Sequence, residues 1–228
     1  PIRLEIVSPA RRVYFAGRGR DFTPVNGTGS GVVRGGLVFA GYGIVSEKDG
    51  WNDYAAIDVK GKIVLLMPDV PESLASESRT TWTFEKKALT AAEKGAVGLI
   101  EMVLSTPGEL RQPGQRQRLG SLRAGQAPEG FVIMRAGRDF LNDAFYLVGK
   151  SWRDLVSKTL RLKKSFTLDL GAEVEMEAHF VSGERTAPNV IGILPGADPK
   201  LKDEALVMGG HLDHLGVGVD GWVYPGAD

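Results

Sequence analysis

The chain has 228 residues, enough for one large domain or two modest ones with a core that needs no cross-links. Its 28 Lys and Arg balance 28 Asp and Glu in interspersed order, so there is no basic field to hold a phosphate backbone, and nucleic acid is not the expected partner. There is no Cys, which removes disulfides, thiolate nucleophiles and Cys-ligated zinc, and leaves His, Asp and Glu as the strong metal ligands.

The segment IRLEIV at 2–7 alternates as a short strand, and the following RRVYFAGRGRDFTPV, with Pro9 before it and Pro24 within it, reads as an irregular arm. A chain beginning at Pro1, with no charged-then-apolar leader, is expected to be a processed or trimmed product. NGTGSG at 26–31 lacks the Gly-Lys-Ser/Thr and helix start of a phosphate loop, and predicts a surface turn or bulge.

GGLVFAGYGI at 35–44 predicts a buried strand closing in a glycine turn, and KGKIVLLMPDV at 60–70 a second strand behind a basic turn. Between them WNDYAAIDV is a polar link with aromatic anchors. Its IVLLM neighbour is among the longest apolar runs, far short of the roughly 20 residues that span a bilayer, so no transmembrane segment is expected. In TFEKKALTAAEKGAVGLIEMV at 83–103 the period changes: Phe84, Ala88, Ala91 and Ala92 recur at helical spacing, Gly95 closes the helix, and VGLIEMV is the next strand. Helix into strand through a glycine cap is the grammar of an α/β fold.

Residues 107–130 are rich in Gln, Arg, Gly and Pro and predict a long exposed loop, basic through Arg111, Arg116, Arg118 and Arg123. It is a candidate lid or contact surface, or simply a solvated loop. FVIMRAGRDFLNDAF continues as strand and short helix, and SWRDLVSKTLRLKK as an amphipathic helix. In EVEMEAHFV at 173–181 apolar and polar residues alternate as in a half-exposed strand, with His179 on the polar face as a solvated side chain. Asp53, Asp58, Glu85 and Glu93 stand singly and are expected in solvent. APNVIGILPG at 187–196 and EALVMGGH at 204–211 predict two further strands, and the change of pattern near Leu170 marks a candidate boundary between residues 1–170 and 171–228.

The segment VMGGHLDHLG at 207–216 holds two of the three histidines. If the strand persists, His211 and Asp213 leave on one side and His214 on the other. That spacing suits a metal-bound imidazole whose free N–H is held by a carboxylate, and it equally suits a surface loop. It is neither a His-Glu-x-x-His helix nor a His-x-His start.

The ordered combination APNV, GGHLDHLG and PGAD over the last quarter of the chain resembles the metal-dependent aminopeptidases of the M28 family. LVFAGYGI, WNDYAAIDVKGKIVLL and KKALTAAEKGAVGLI resemble the protease-associated (PA) domain that some of these peptidases carry. The resemblance implies a mixed α/β chain: a β-rich PA-like domain with flanking helices at 1–170, with its N-terminal arm, and at 171–228 the first strands of a zinc peptidase domain.

It further implies hydrolysis of peptide bonds, removing residues from peptide or protein N-termini, with the PA-like part restricting access. By the same resemblance His211 is a ligand of one of two zinc ions and Asp213 the carboxylate that orients it, while His214 receives no role. Asp228 aligns with the first Asp of the Asp-Asp-Asn-x-Ser-Gly stretch of the family. The metal-bridging carboxylate would be the residue after it, and the remaining ligands and general base lie in the remainder of a catalytic domain that this piece needs. Family habit implies a secreted or periplasmic location. A non-catalytic receptor-type relative and a PA-type interaction module are the alternative readings.

Overall fold

A computed structural model describes residues 2–15, 22–25, 27–104, 127–179, 190–201, 204–210, 216–217 and 223–224. In chain order the elements of its main sheet and their helices are β1 (Ile2–Ser8), β2 (Arg12–Phe15), β3 (Phe22–Pro24), β4 (Gly31–Ala40), then β7 (Ile63–Leu66) after a small two-stranded ribbon of β5 (Val45–Ser46) and β6 (Trp51–Asn52). Helices α1 (Ser76–Thr81) and α2 (Phe84–Glu93) lead into β8 (Gly98–Met102). β9 (Val132–Ala136) is followed by α3 (Arg138–Tyr146), α4 (Trp152–Leu162) and the long β10 (Thr167–Ala178).

The eight-stranded sheet runs β2-β1-β10-β4-β7-β8-β9-β3. Its centre, β4-β7-β8-β9, is parallel, and both flanks are antiparallel. The fold class is therefore mixed α/β, as expected. Parallel strands covered on both faces are near-continuous apolar runs, and IVLL and GLIEM are buried at every position.

The period of two decides which helix each residue meets. Leu37, Phe39, Ile63, Leu65, Ile100, Met102, Val132 and Met134 pack with Phe140, Leu141, Ala144, Phe145 and Trp152 of α3 and α4. Their neighbours Val38, Val64, Leu66, Leu99 and Ile133 pack on the opposite face with Phe84, Ala88 and Ala91 of α2. Thr83 caps α2, its hydroxyl accepting from the Lys86 N–H at 3.3 Å, and Gly95 closes the turn behind it at φ +87°.

The antiparallel flank is polar on one side. Arg3 of β1 pairs with Glu5, Glu175 and Glu177 at 2.7, 2.5 and 3.1 Å. His179 lies half-exposed, 3.3 Å from Glu177, in keeping with a solvated histidine. β10 carries a bulge between Asp169 and Ala172, where Gly171 sits at φ +76° and donates to the Asp169 side chain at 3.0 Å. This strand passes through Leu170 and pairs with both β1 and β4, so residues 171–178 share the sheet of the residues before them.

Three expectations change. The arm at 11–25 contributes two edge strands, β2 and β3, and α1 forms in a stretch with no helical period of its own. The strands predicted at 187–196 and 204–211 do not form among the described residues: 190–201 and 204–210 carry no strand, and Ile191, Leu194, Leu206 and Val207 are exposed, Leu194 at 95%. An apolar run becomes a buried strand only where neighbours take its N–H and C=O groups and cover its side chains, and none of the described residues does so here. Beyond it β11 (Gly216–Val217) and β12 (Val223–Tyr224) form a separate antiparallel pair. The 107–130 loop lies outside the described residues as far as 126.

Candidate functional site

The parallel strands all point their carboxyl ends to one edge of the sheet, where open α/β sheets most often bind ligands. A cleft of about 1010 Å³ opens there. Its floor is the 67–73 segment after β7 together with Glu101 and Leu104 at the end of β8. Arg79, Trp82, Phe84 and Lys87 line it from α1 and α2, Tyr42 and Trp51 from the turn after β4 and from β6, and Thr159, Leu160 and Lys163 from the end of α4.

Three charged side chains are buried at this edge. Register places Glu101 of β8 directly opposite Arg135 of β9, on the face covered by α2. Arg135 Nε donates to Glu101 Oε2 at 2.6 Å, and the guanidinium stacks 4.6 Å from the Phe84 ring. Lys87 occupies the apolar stripe of α2, three residues after Phe84 and four before Ala91, and is only 2% exposed.

The Lys87 Nζ donates to the backbone carbonyls of Met67 and Asp69 at 3.1 and 2.8 Å, and so ties α2 to the loop after β7. Asp69 itself has φ +58°, a left-handed conformation that Asp tolerates better than most residues. Burial lowers the pKa of Lys87, and the charge of Glu101 is the strongest influence against that shift.

Asp53 corrects an expectation. It is fully buried, where the sequence reading placed it in solvent. Its Oδ2 accepts from the N–H groups of Tyr42 and Ile44, both at 3.0 Å, and its Oδ1 from the Ser165 hydroxyl at 2.8 Å. These bonds knit the glycine turn after β4, where the inward-turned N–H groups of Tyr42 and Ile44 have no sheet partner and need an acceptor. Burial nevertheless raises the Asp53 pKa, with the Ile44 N–H the largest opposing influence. Asp58 and Glu93 are exposed and Glu85 is half-buried.

The buried trio was missed in the sequence although it left a signal. GLIEM and VIMRA each carry one charge, of opposite sign, inside a run otherwise apolar, and Lys87 interrupts the apolar stripe of a helix. His211, Asp213 and His214, with Asp228, lie outside the described residues. Among the described residues no group of three or more His, Asp or Glu is placed to hold a metal ion.

Residues 30–128 match the family model of the PA domain. This stretch is similar to a PA domain. Most of the cleft lining, with Lys87 and Glu101, falls within the matched residues, whereas Arg135 and the α4 residues of the cleft lie after them. No curated protein matches the chain.

Among solved structures, the chain is similar to an aminopeptidase from Aneurinibacillus sp. strain AM-1, with 14% identity over 78% of this chain and 30% of that one, at a TM-score of 0.41. It is similar also to BSAP, a zinc aminopeptidase from Bacillus subtilis, with 16% identity over 78% and 30% and a TM-score of 0.40. A third is the peptidase M28 precursor from Shewanella amazonensis SB2B, with 15% identity over 78% and 34% and a TM-score of 0.35. The chain thus spans about a third of the length of these structures.

Proposed function

We propose that this chain is part of a metal-dependent peptidase, an aminopeptidase that removes N-terminal residues, and that its PA domain governs which peptides reach the site. The observation that carries the reading is the ordered series APNV, GGHLDHLG and PGAD following a PA-like stretch in one chain. In this reading a domain boundary falls after β10, and residues 179–228 belong to the catalytic part.

His211 would hold a zinc ion and Asp213 would orient its imidazole through the free ring N–H. Zinc when bound supplies a Lewis acid and a water of lowered pKa. A chain with no Cys leaves imidazole and carboxylate as the donors, which suits a hydrolytic zinc site. The peptide's free α-amine is the group by which such an enzyme would tell an N-terminus from an internal bond. No helix among the described residues is long and apolar enough to cross a membrane, and an exported enzyme is the proposed setting.

The test uses the natural protein that contains these residues, assayed on aminoacyl-p-nitroanilides with and without a chelator. Hydrolysis that stops on chelation, returns with zinc and is lost in His211→Ala supports the reading. Hydrolysis indifferent to chelator, or none with zinc supplied, overturns it in favour of a binding module, the alternative to which the cleft at the PA-like part lends weight.

A further inference from the structure

We propose that the cleft at the carboxyl edge of the main sheet is itself a binding site, for an α-amino acyl group with a large apolar side chain. The ammonium would face Glu101, the carbonyl or carboxylate Lys87, and the side chain the aromatic wall. The inference stands apart from the peptidase reading, since every residue it uses lies between Tyr42 and Lys163 and none belongs to the proposed metal site.

The buried pair comes first. Lys87 and Glu101 are 2% and 6% exposed, and both line the cleft. A buried ammonium needs all its donors satisfied. Two of the three N–H groups of Lys87 go to the Met67 and Asp69 carbonyls, and among the described residues no acceptor takes the third. Glu101 spends Oε2 on Arg135. Its side chain faces the same cleft as the ammonium. The walls thus offer one fixed donor and one fixed acceptor of opposite charge in a desolvated setting, where charge-assisted hydrogen bonds are at their strongest.

Charge then narrows the class. The cleft is lined by Asp69, Glu72 and Glu101 against Arg79, Lys87 and Lys163. Three acids against three bases leave no net field, so a polyanion or polycation gains nothing, while a ligand carrying both charges finds both partners. Tyr42, Trp51 and Trp82 supply apolar and π surface for a side chain. At about 1010 Å³ the space is at the upper end of small-ligand sites, and an aminoacyl residue with part of a following chain fits within it. A free amino acid and the first residue of a peptide share this chemistry.

The whole chain is titrated with phenylalanine, phenylalanine amide, N-acetyl-phenylalanine amide and phenethylamine, followed by calorimetry and by the fluorescence of the tryptophans, two of which line the cleft. Saturable binding of phenylalanine or its amide is expected. Acetylating the amine or removing the carbonyl should weaken it at least about tenfold, the loss of one charge-assisted bond.

Phenylalanine alone identifies a free amino acid, and the amide binding as well identifies a peptide N-terminus. Glu101→Gln and Lys87→Met should each weaken binding by about tenfold or more, while His211→Ala leaves it unchanged, which separates this cleft from the proposed metal site. Should either cleft variant fail to fold, the four ligands on the unaltered chain still decide. No saturation by about 10 mM, equal binding of the acetylated amide, or loss of binding in His211→Ala overturns the proposal.

Discussion

Arg135 and Glu101 face each other across adjacent parallel strands, Nε to Oε2 at 2.6 Å, with side chains only 6% and 8% exposed. A pair this deeply buried gains little over an apolar pair of the same shape, but removing one member strands the other in a medium that cannot solvate it. Arg135→Met is therefore expected to destabilise the fold by about 3–5 kcal/mol. The double variant Glu101→Leu/Arg135→Met should cost less than the sum of the two single changes by at least about 1 kcal/mol, because no lone charge remains. Urea midpoints of the four proteins check this, and strict additivity would show that the pair is not coupled.

Lys87 gives a pH dependence of definite sign. Burial holds its pKa in the folded chain below the usual lysine value of 10.5. Between the folded value and 10.5 the unfolded chain binds more protons than the folded one, so stability contributed by this group rises with pH through that window. Below the folded value the full cost of burying the ammonium is present. Lys87→Met should remove this upward component, measured as the difference in urea midpoint between the two proteins from neutral pH toward pH 10. A difference that does not change with pH would contradict it.

The main sheet was legible because its signals are local and repeat. Apolar runs at Ile63–Leu66 and Gly98–Met102, a capped helix between them and a glycine stop at Gly95 each appear within a few residues. What stayed hidden depends on pairing at a distance. The edge strands β2 and β3 are 4 and 3 residues long and gain their identity from β1 and β9. Glu101 and Arg135 are 34 positions apart, and only the parallel register makes them one feature. Asp53 read as a solvated acid because the two N–H groups it satisfies lie 11 and 9 residues earlier, in a turn whose inward-facing backbone no pattern of side chains reveals.

The proposed metal site separates three neighbouring residues by role. His211→Ala should abolish the hydrolysis proposed for the natural protein. Asp213→Asn, which still holds the imidazole but lowers its basicity, should reduce metal affinity or activity by about 10–100-fold. His214→Ala should retain activity to within a few fold, because the family resemblance gives it no ligand role. Zinc content and aminoacyl-p-nitroanilide turnover, measured on all three, check the ranking. A His214 variant as damaged as the His211 one would overturn the assignment of the ligand.

The turn after β4 is built around a single carboxylate, and its variants should rank by what they leave unsatisfied. Asp53→Ala strands the N–H groups of Tyr42 and Ile44 in the core and is expected to cost about 2–6 kcal/mol, at about 1–3 kcal/mol for each orphaned donor. Asp53→Asn keeps one oxygen acceptor and should cost less than half as much. The same turn forbids a side chain at Gly41, where φ is +56° and an added Cβ would come 2.4 Å from Asp53 Oδ1. Gly41→Ala should therefore destabilise by more than the roughly 1–2 kcal/mol of the left-handed backbone alone.

The pH profiles tell the same carboxylate from its amide. Burial raises the Asp53 pKa above 3.8 in the folded chain. In the window between 3.8 and the folded value the folded chain binds more protons than the unfolded one, so this group's contribution to stability falls as pH rises through it. Asp53→Asn, with no proton to exchange, should lack that fall. Urea midpoints for the parent and both Asp53 variants, measured from acid to neutral pH, check the ranking and the slope together. A parent curve parallel to that of Asp53→Asn would mean that the carboxylate is not desolvated in the folded chain.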